Sequence, residues 1–129
     1  MSKITSHKDL VVWQKAVRLA RSIYEITNGF PRQHRYGLAD QMQRAALSVA
    51  SNIAEGSARL SRPEYIRFLN IARSSLSELE TQAHISLQLG LLSGQSAIAE
   101  DIAEVGRMLT SLIQRLREQR SRDAHCATS

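Results

Sequence analysis

The sequence predicts an all-α fold, an antiparallel up-down-up-down four-helix bundle, and three observations carry the prediction. Apolar residues recur at helical spacing through four long segments, and no segment alternates with period two. Only 2 prolines and 6 glycines occur in 129 residues, and both prolines fall at segment boundaries. The connections are short, which makes consecutive helices antiparallel neighbours. Hydrophobic residues make up 43% of the chain and are spread along it, as one core in one domain requires. The expected organisation is an N-terminal tail over 1–8, a bundle domain over 9–120 and a disordered tail over 121–129.

The first helix is expected from Asp9 to Asn28, with Leu10, Trp13, Ala16, Val17, Ala20, Ile23, Tyr24 and Thr27 as its apolar stripe. Asn28-Gly29 is a stop signal, with Gly29 suited to the left-handed position after a helix. The second helix is expected to start between Pro31 and Tyr36 and to reach Ala58. Arg32, His34 and Arg35 sit badly at the positive end of a helix dipole, so either the helix begins later or those charges face a partner. The stripe of this helix is Met42, Ala45, Ala46, Val49, Ala50, Ile53 and Ala54. Four alanines in seven make it thin, which admits a close neighbour and marks the central helix of the bundle.

Ser61-Arg62-Pro63-Glu64 is the clearest local signal in the chain. Ser61 can cap the next helix, Pro63 costs no backbone donor in the first turn, and Glu64 can reach back to the Ser61 amide. The third helix then runs to Leu89 on the stripe Tyr65, Phe68, Leu69, Ala72, Leu76, Leu79, Ala83 and Leu87, and Gly90 closes it. After the turn Ser93-Gly94-Gln95-Ser96, a fourth helix is expected from Ala97 to Glu118 on Ile98, Ile102, Val105, Leu109, Leu112, Ile113 and Leu116. Its acids stand near its start and its arginines near its end, as the dipole favours.

The net charge is +5, from 14 arginines and 3 lysines against 12 acids. Arginine's planar fork suits phosphate and carboxylate, so an anionic partner is expected. In an up-down bundle one end gathers the start of helix 1, the turn between helices 2 and 3 and the end of helix 4. That end collects ten cations against five acids, an excess equal to the whole net charge. Lys8, Lys15, Arg59, Arg62, Arg67, Arg115, Arg117 and Arg120 are therefore the candidate nucleic-acid-binding residues.

Catalytic and metal-binding patterns are absent from the sequence. There is no phosphate-binding glycine loop, no H-E-x-x-H and no paired C-x-x-C. His7, His34, His84 and His125 are scattered, and Glu78 and Glu80 are two apart, so they point to different helix faces. No catalytic residue, metal site or cofactor is assigned, and the chain is expected not to be an enzyme. The single cysteine, Cys126, forms no internal disulfide. No apolar run approaches the roughly 20 residues of a membrane span, and no secretory signal opens the chain, so a cytoplasmic, non-membrane protein is expected.

A second, polar stripe runs along helix 2: Gln41, Arg44, Ser48, Asn52 and Glu55. On helix 3, Arg73, Ser77, Glu80, Thr81 and His84 flank the apolar stripe. The expected role of Gln41, Arg44, Asn52, Glu55, Arg73, Glu78 and Glu80 is a polar network or a subunit interface, with Asn52 bonding across to helix 3 and Arg44 or Arg73 pairing with Glu80 or Glu55.

Several blocks are familiar in combination. They are Asp9-Leu-Val-Val-Trp13-Gln14-Lys15-Ala16, Phe30-Pro31 leading to Tyr36-Gly37-Leu38, Arg44-Ala45-Ala46-Leu-Ser48, Ser51-Asn52-Ile53-Ala54-Glu55-Gly56, and Glu78-Leu79-Glu80-Thr81-Gln82. Over roughly 8–117 the chain resembles the four-helix-bundle family first described as proteins encoded in intervening sequences of large-subunit ribosomal RNA genes. The accessory variability protein of diversity-generating retroelements is a relative. The resemblance implies a ring-shaped homopentamer, and in the retroelement relative a basic surface that engages a reverse transcriptase and nucleic acid. Gln33-His34 and Ser74 depart from the family pattern, which has an acidic residue after Phe-Pro and a glycine at the second place. The expected function is thus a non-enzymatic homo-oligomeric bundle, pentamer favoured, binding RNA, DNA or an RNA–protein complex through a basic surface. Reverse transcriptase or another nucleic-acid enzyme is a possible further partner. The alternative is a protein–protein assembly or adaptor scaffold without direct nucleic-acid binding.

Overall fold

The structure, a computed structural model, describes residue 7 and residues 10–128, with side chains as far as 119. Its order is α1 (Val11–Thr27), α2 (Asp40–Ser57), α3 (Arg62–Gln88) and α4 (Ile98–Thr128), with a 3₁₀ turn (Arg32–His34) and a π turn (Arg35–Ala39) leading into α2. No strand occurs among the described residues. Helix α1 packs on α2 and α4, and α3 packs on the same two, so the helices enclose one core. The α2–α3 pair is the most extensive of these interfaces and α1–α4 the least.

The thin stripe on α2 does what its composition dictates. Met42, Ala45, Ala46, Val49 and Ile53 are buried, and Ala72 of α3 is fully buried. Pairings along the interface run in opposite directions: Met42 meets Ser86, Ser48 meets Ser75, and Gly56 meets Phe68. Close approach is greatest at Gly56, where an added Cβ would stand 2.8 Å from Phe68 Cβ and 3.2 Å from the Tyr65 carbonyl oxygen.

Helix ends follow local chemistry. The Ser61 hydroxyl accepts from the Glu64 amide at 3.2 Å, as predicted, with Pro63 in the first turn. The Glu64 carboxylate turns to Arg67 at 3.3 and 3.4 Å. Gly90 takes φ +75°, and the amides of Gly90 and Leu91 return to the carbonyls of Leu87 and Ser86, the paired bonds of a Schellman end. Gly29 does not play the matching part in α1. Asn28 stays right-handed there, and the Gly29 and Phe30 amides close 3₁₀-type bonds to Ile26 and Thr27. Buried Phe30 draws the chain back onto the core before a left-handed residue is needed.

Four expectations are corrected. The buried stripe of α1 is Val12, Ala16, Leu19, Ala20, Ile23 and Thr27, whereas Val17 and Tyr24 are 40% and 38% exposed. On α3, Ser86 is buried and Leu87 is not. Helix α2 begins at Asp40, which settles the awkward basic start: Arg32, His34 and Arg35 belong to the preceding turns. The backbone of α4 runs to Thr128, past the expected end at Glu118, because residues 117–128 hold neither glycine nor proline to stop it. Lys8 lies outside the described residues, and so does the side chain of Arg120.

Polar groups also hold the interior. Buried Thr27 donates to the Ile23 carbonyl at 2.7 Å and accepts from Gln43 Nε2 at 2.9 Å, which clips the end of α1 to the start of α2. Ser86 Oγ donates to the Gln82 carbonyl at 2.8 Å and lies 3.3 Å from Met42 Sδ. Among the described residues no helix is long and apolar enough to cross a membrane.

Candidate nucleic-acid interface

The α2–α3 turn builds the arginine cluster. Gly56 lets α2 approach the first turns of α3, and this brings Arg59, just beyond α2, beside Phe68. The Arg59 guanidinium stands 4.8 Å from the Phe68 ring centroid, and that of Arg67 stands 4.7 Å from it. The ring face attracts both cations. Glu55 holds Arg59 and Glu64 holds Arg67, each from the same helix or its immediate extension. Arg62 opens α3 and is half-buried. Leu60, at the tip of the turn, is fully exposed.

Helix α4 adds its C-terminal half to the same end. Arg115 lies close enough to Tyr65 to act on its hydroxyl, and it lines a shallow groove with Leu10, Val11 and Leu112 between α1 and α4. Arg115 and Arg117 are exposed, and neither has an ion-pair partner among the described residues. Lys15 behaves differently. It bridges to Glu104 across the α1–α4 interface, and this hydrogen bond holds the Glu104 carboxyl below the usual carboxylate range. The pair therefore supports folding above that range and fades as pH falls through the lowered value. Of the candidate contact residues, the structure places Arg59 and Arg67 on the Phe68 ring and Arg115 near Tyr65, with Arg62 at the start of α3, Arg117 two residues beyond Arg115, and Lys15 engaged across the α1–α4 interface.

Burial raises the Tyr65 phenol above its ordinary value near 10, and Arg115 opposes that in part. A raised phenol favours folding while neutral. Its contribution is intact below about pH 10 and is lost as pH climbs through the raised value. Wild-type protein is expected to lose urea stability above that pH, and Tyr65→Phe is expected to flatten that loss when urea midpoints are measured against pH.

The polar seam resolves into two grooves on either side of α3. On one side, Ser48 and Ser75 share a hydrogen bond of 2.8 Å between α2 and α3, and Asn52 donates to the Ser48 carbonyl at 2.9 Å and its hydroxyl at 3.0 Å. Asn52 thus acts through Ser48 and does not cross to α3 itself. Gln41, Arg44 and Glu78 line the cleft beside this pair, together with Tyr36. On the other side, Arg73 and Glu80 line a groove against α4 with Ser77, Gly106 and Arg107. The expected cross-helix ion pairs do not form: Arg44 meets Asp40 at 2.9 Å, and Glu55 meets Arg59. One helical turn brings those partners nearer than the neighbouring helix can.

Sequence reasoning missed the Thr27–Gln43 clip, the part of Ser75, and Tyr36. Only Ser75 left a signal, since it falls on the flank that meets the Ser48 stripe. Among the described residues no three of His, Cys, Asp or Glu converge on a point where a metal ion would sit.

Comparison with known proteins agrees with the helical architecture. A family model described as "23S rRNA-intervening sequence protein" matches residues 8–111. A crystal structure of a protein with unknown function from the S23 ribosomal protein family of Bacteroides thetaiotaomicron superposes with a TM-score of 0.75. It is 24% identical, and the match covers 81% of this chain and 96% of that one. No curated protein matches.

Proposed function

The chain belongs to the 23S rRNA-intervening sequence protein family, and on that premise we propose that it is a non-enzymatic, cytoplasmic RNA-binding bundle that grips phosphate at its arginine end. The observation that carries this reading is the pair Arg59 and Arg67 on the Phe68 ring with Arg115 acting on Tyr65 one turn earlier on α3, while Arg115 and Arg117 meet no carboxylate among the described residues. Arg59 and Arg67 are positioned by ring and carboxylate, so they meet a ligand already ordered. Arg115 and Arg117 supply the charge that a phosphate backbone neutralises.

Filter binding of single-stranded and duplex RNA over a salt series tests this. Wild type should bind at low salt and weaken steeply as salt rises. Arg115→Ala with Arg117→Ala should weaken binding by about tenfold or more and make the log–log salt slope shallower by about 1 per lost contact. Equal binding by the double variant and the wild type would count against the arginine end as the contact surface.

The same proposal has the helices running up-down-up-down and the protomers closing into a ring, with five copies favoured. Support comes from the outer face of α1 and α2. Tyr24 lies one turn before Thr27 on α1, and Leu47 one turn after its partner Gln43 on α2. Both remain exposed, as does Val17 two turns further along α1. A protein adaptor is the reading favoured if light scattering finds the oligomer while no RNA or DNA binds. A nucleic-acid enzyme, reverse transcriptase included, is the protein partner that such an adaptor would serve.

A further inference from the structure

We propose that the cleft between α2 and α3 beside the π turn receives one unstacked base of a single-stranded nucleic acid, with its ring against Tyr36. This rests on nucleic acid being the partner class, but it concerns the start of α2, a helix of 18 residues and about 27 Å whose far end carries the arginine cluster.

Tyr36 is 84% exposed although it sits in an ordered helical turn. A tyrosine in such a place normally buries its ring for the apolar area gained. Here the π turn widens the backbone just before α2, and π turns recur where a side chain must be aimed. Tyr36 stands at the edge of an open cleft of about 550 Å³ that it lines with Asp40, Gln41, Arg44, Ser48, Ser75 and Glu78. That volume falls in the range of small-ligand sites.

The charges around the ring select the occupant. Arg32 and Arg35 lie within four residues of Tyr36, are exposed, and meet no carboxylate among the described residues. Two exposed cations so near Tyr36 in the chain favour the phosphates of a strand bound there. Inside the cleft the chemistry changes to that of a base edge. Gln41 offers both donor and acceptor, the Ser48–Ser75 pair offers hydroxyls, and Glu78 offers a carboxylate without a cationic partner among the described residues. An aromatic face flanked by arginines, opening on mixed hydrogen-bonding groups, is how single strands are held. A duplex keeps its base faces covered and cannot use it.

The test uses short single-stranded RNA carrying one fluorescent adenine analogue, whose emission is quenched on stacking, with circular dichroism confirming that each variant is folded. Wild type should quench the probe, and Tyr36→Phe should retain quenching. Tyr36→Ala should abolish it and weaken single-strand binding by about tenfold or more, while binding of a duplex of the same sequence stays unchanged. Two results overturn the inference and leave the arginine-end reading standing: RNA bound with the probe unquenched and Tyr36→Ala binding like wild type, or Tyr36→Ala altering the oligomer mass in light scattering with RNA affinity intact. Loss of binding in Tyr36→Ala, beside full binding in the Arg115, Arg117 double variant, supports the cleft and sinks the arginine end. No binding of any RNA by wild type removes both.

Discussion

Gly56→Val is expected to destabilise the fold by about 2–3 kcal/mol, read as a fall of roughly 8–12 °C in Tm. The reason is the α2–α3 approach. A Cβ at this position would lie 2.8 Å from Phe68 Cβ, 3.1 Å from Tyr65 Cδ1 and 3.2 Å from the Tyr65 carbonyl oxygen. Two of those atoms are fixed to the α3 backbone, so no rotamer change relieves them and the helices must part. Gly56→Ala sets the same clash against a gain in helix propensity of about 1 kcal/mol, so its net loss should be smaller. The separation should also disturb the Arg59–Phe68 contact, which stands at the same crossing. A Gly56→Ala protein as stable as wild type would mean that the two helices slide apart freely there.

Leu79→Ala is expected to cost more, about 3–5 kcal/mol, a large share of the 5–15 kcal/mol typical of a whole domain. Leu79 is fully buried at the middle of α3, the helix that faces both α2 and α4. Removing its branched end leaves a cavity that neighbours on two sides cannot both fill. Leu79→Met keeps the volume and should cost under about 1.5 kcal/mol. Urea midpoints would show the difference, with the slope of the transition unchanged if only packing is lost.

Much of the architecture was legible because it is written locally. Ser61, Pro63 and Gly90 each set a helix end through groups within a few residues, and the structure uses all three as expected. Most of the stripe on α2 also held: Met42, Ala45, Ala46, Val49 and Ile53 are buried, while Ala50 and Ala54 are half-buried. Helix α1 was harder. Val11, Val12, Trp13, Val17, Leu19, Tyr24 and Ile26 surround most of its circumference, so spacing alone does not say which arc faces inward. Neighbouring helices choose it, and they choose Val12 and Leu19 over Val17 and Tyr24.

The candidate sites were legible as residue types and not as partnerships. Arginine at Arg44 or Arg59 announces charge, but whether it crosses to another helix or folds onto its own depends on distances of a few ångströms. In each case the carboxylate one turn away wins. Tyr36 stands in the sequence only as part of the family resemblance, with no role of its own, and for a different reason. A π turn has no established residue signature, and a lone tyrosine between arginine and glycine reads as loop chemistry until the backbone is seen to present it.

The uneven grip between the helices has a kinetic corollary. Contacts are densest in the α2–α3 hairpin, whose two arms meet after a turn of only four residues, and sparsest where α1 closes against α4 from far along the chain. Closing a short loop loses little entropy, so the hairpin can assemble early and serve as a template for its neighbours. The α1–α4 seam is then the last to zip and the first to breathe. Nucleation and fraying are thereby assigned to opposite sides of one small bundle.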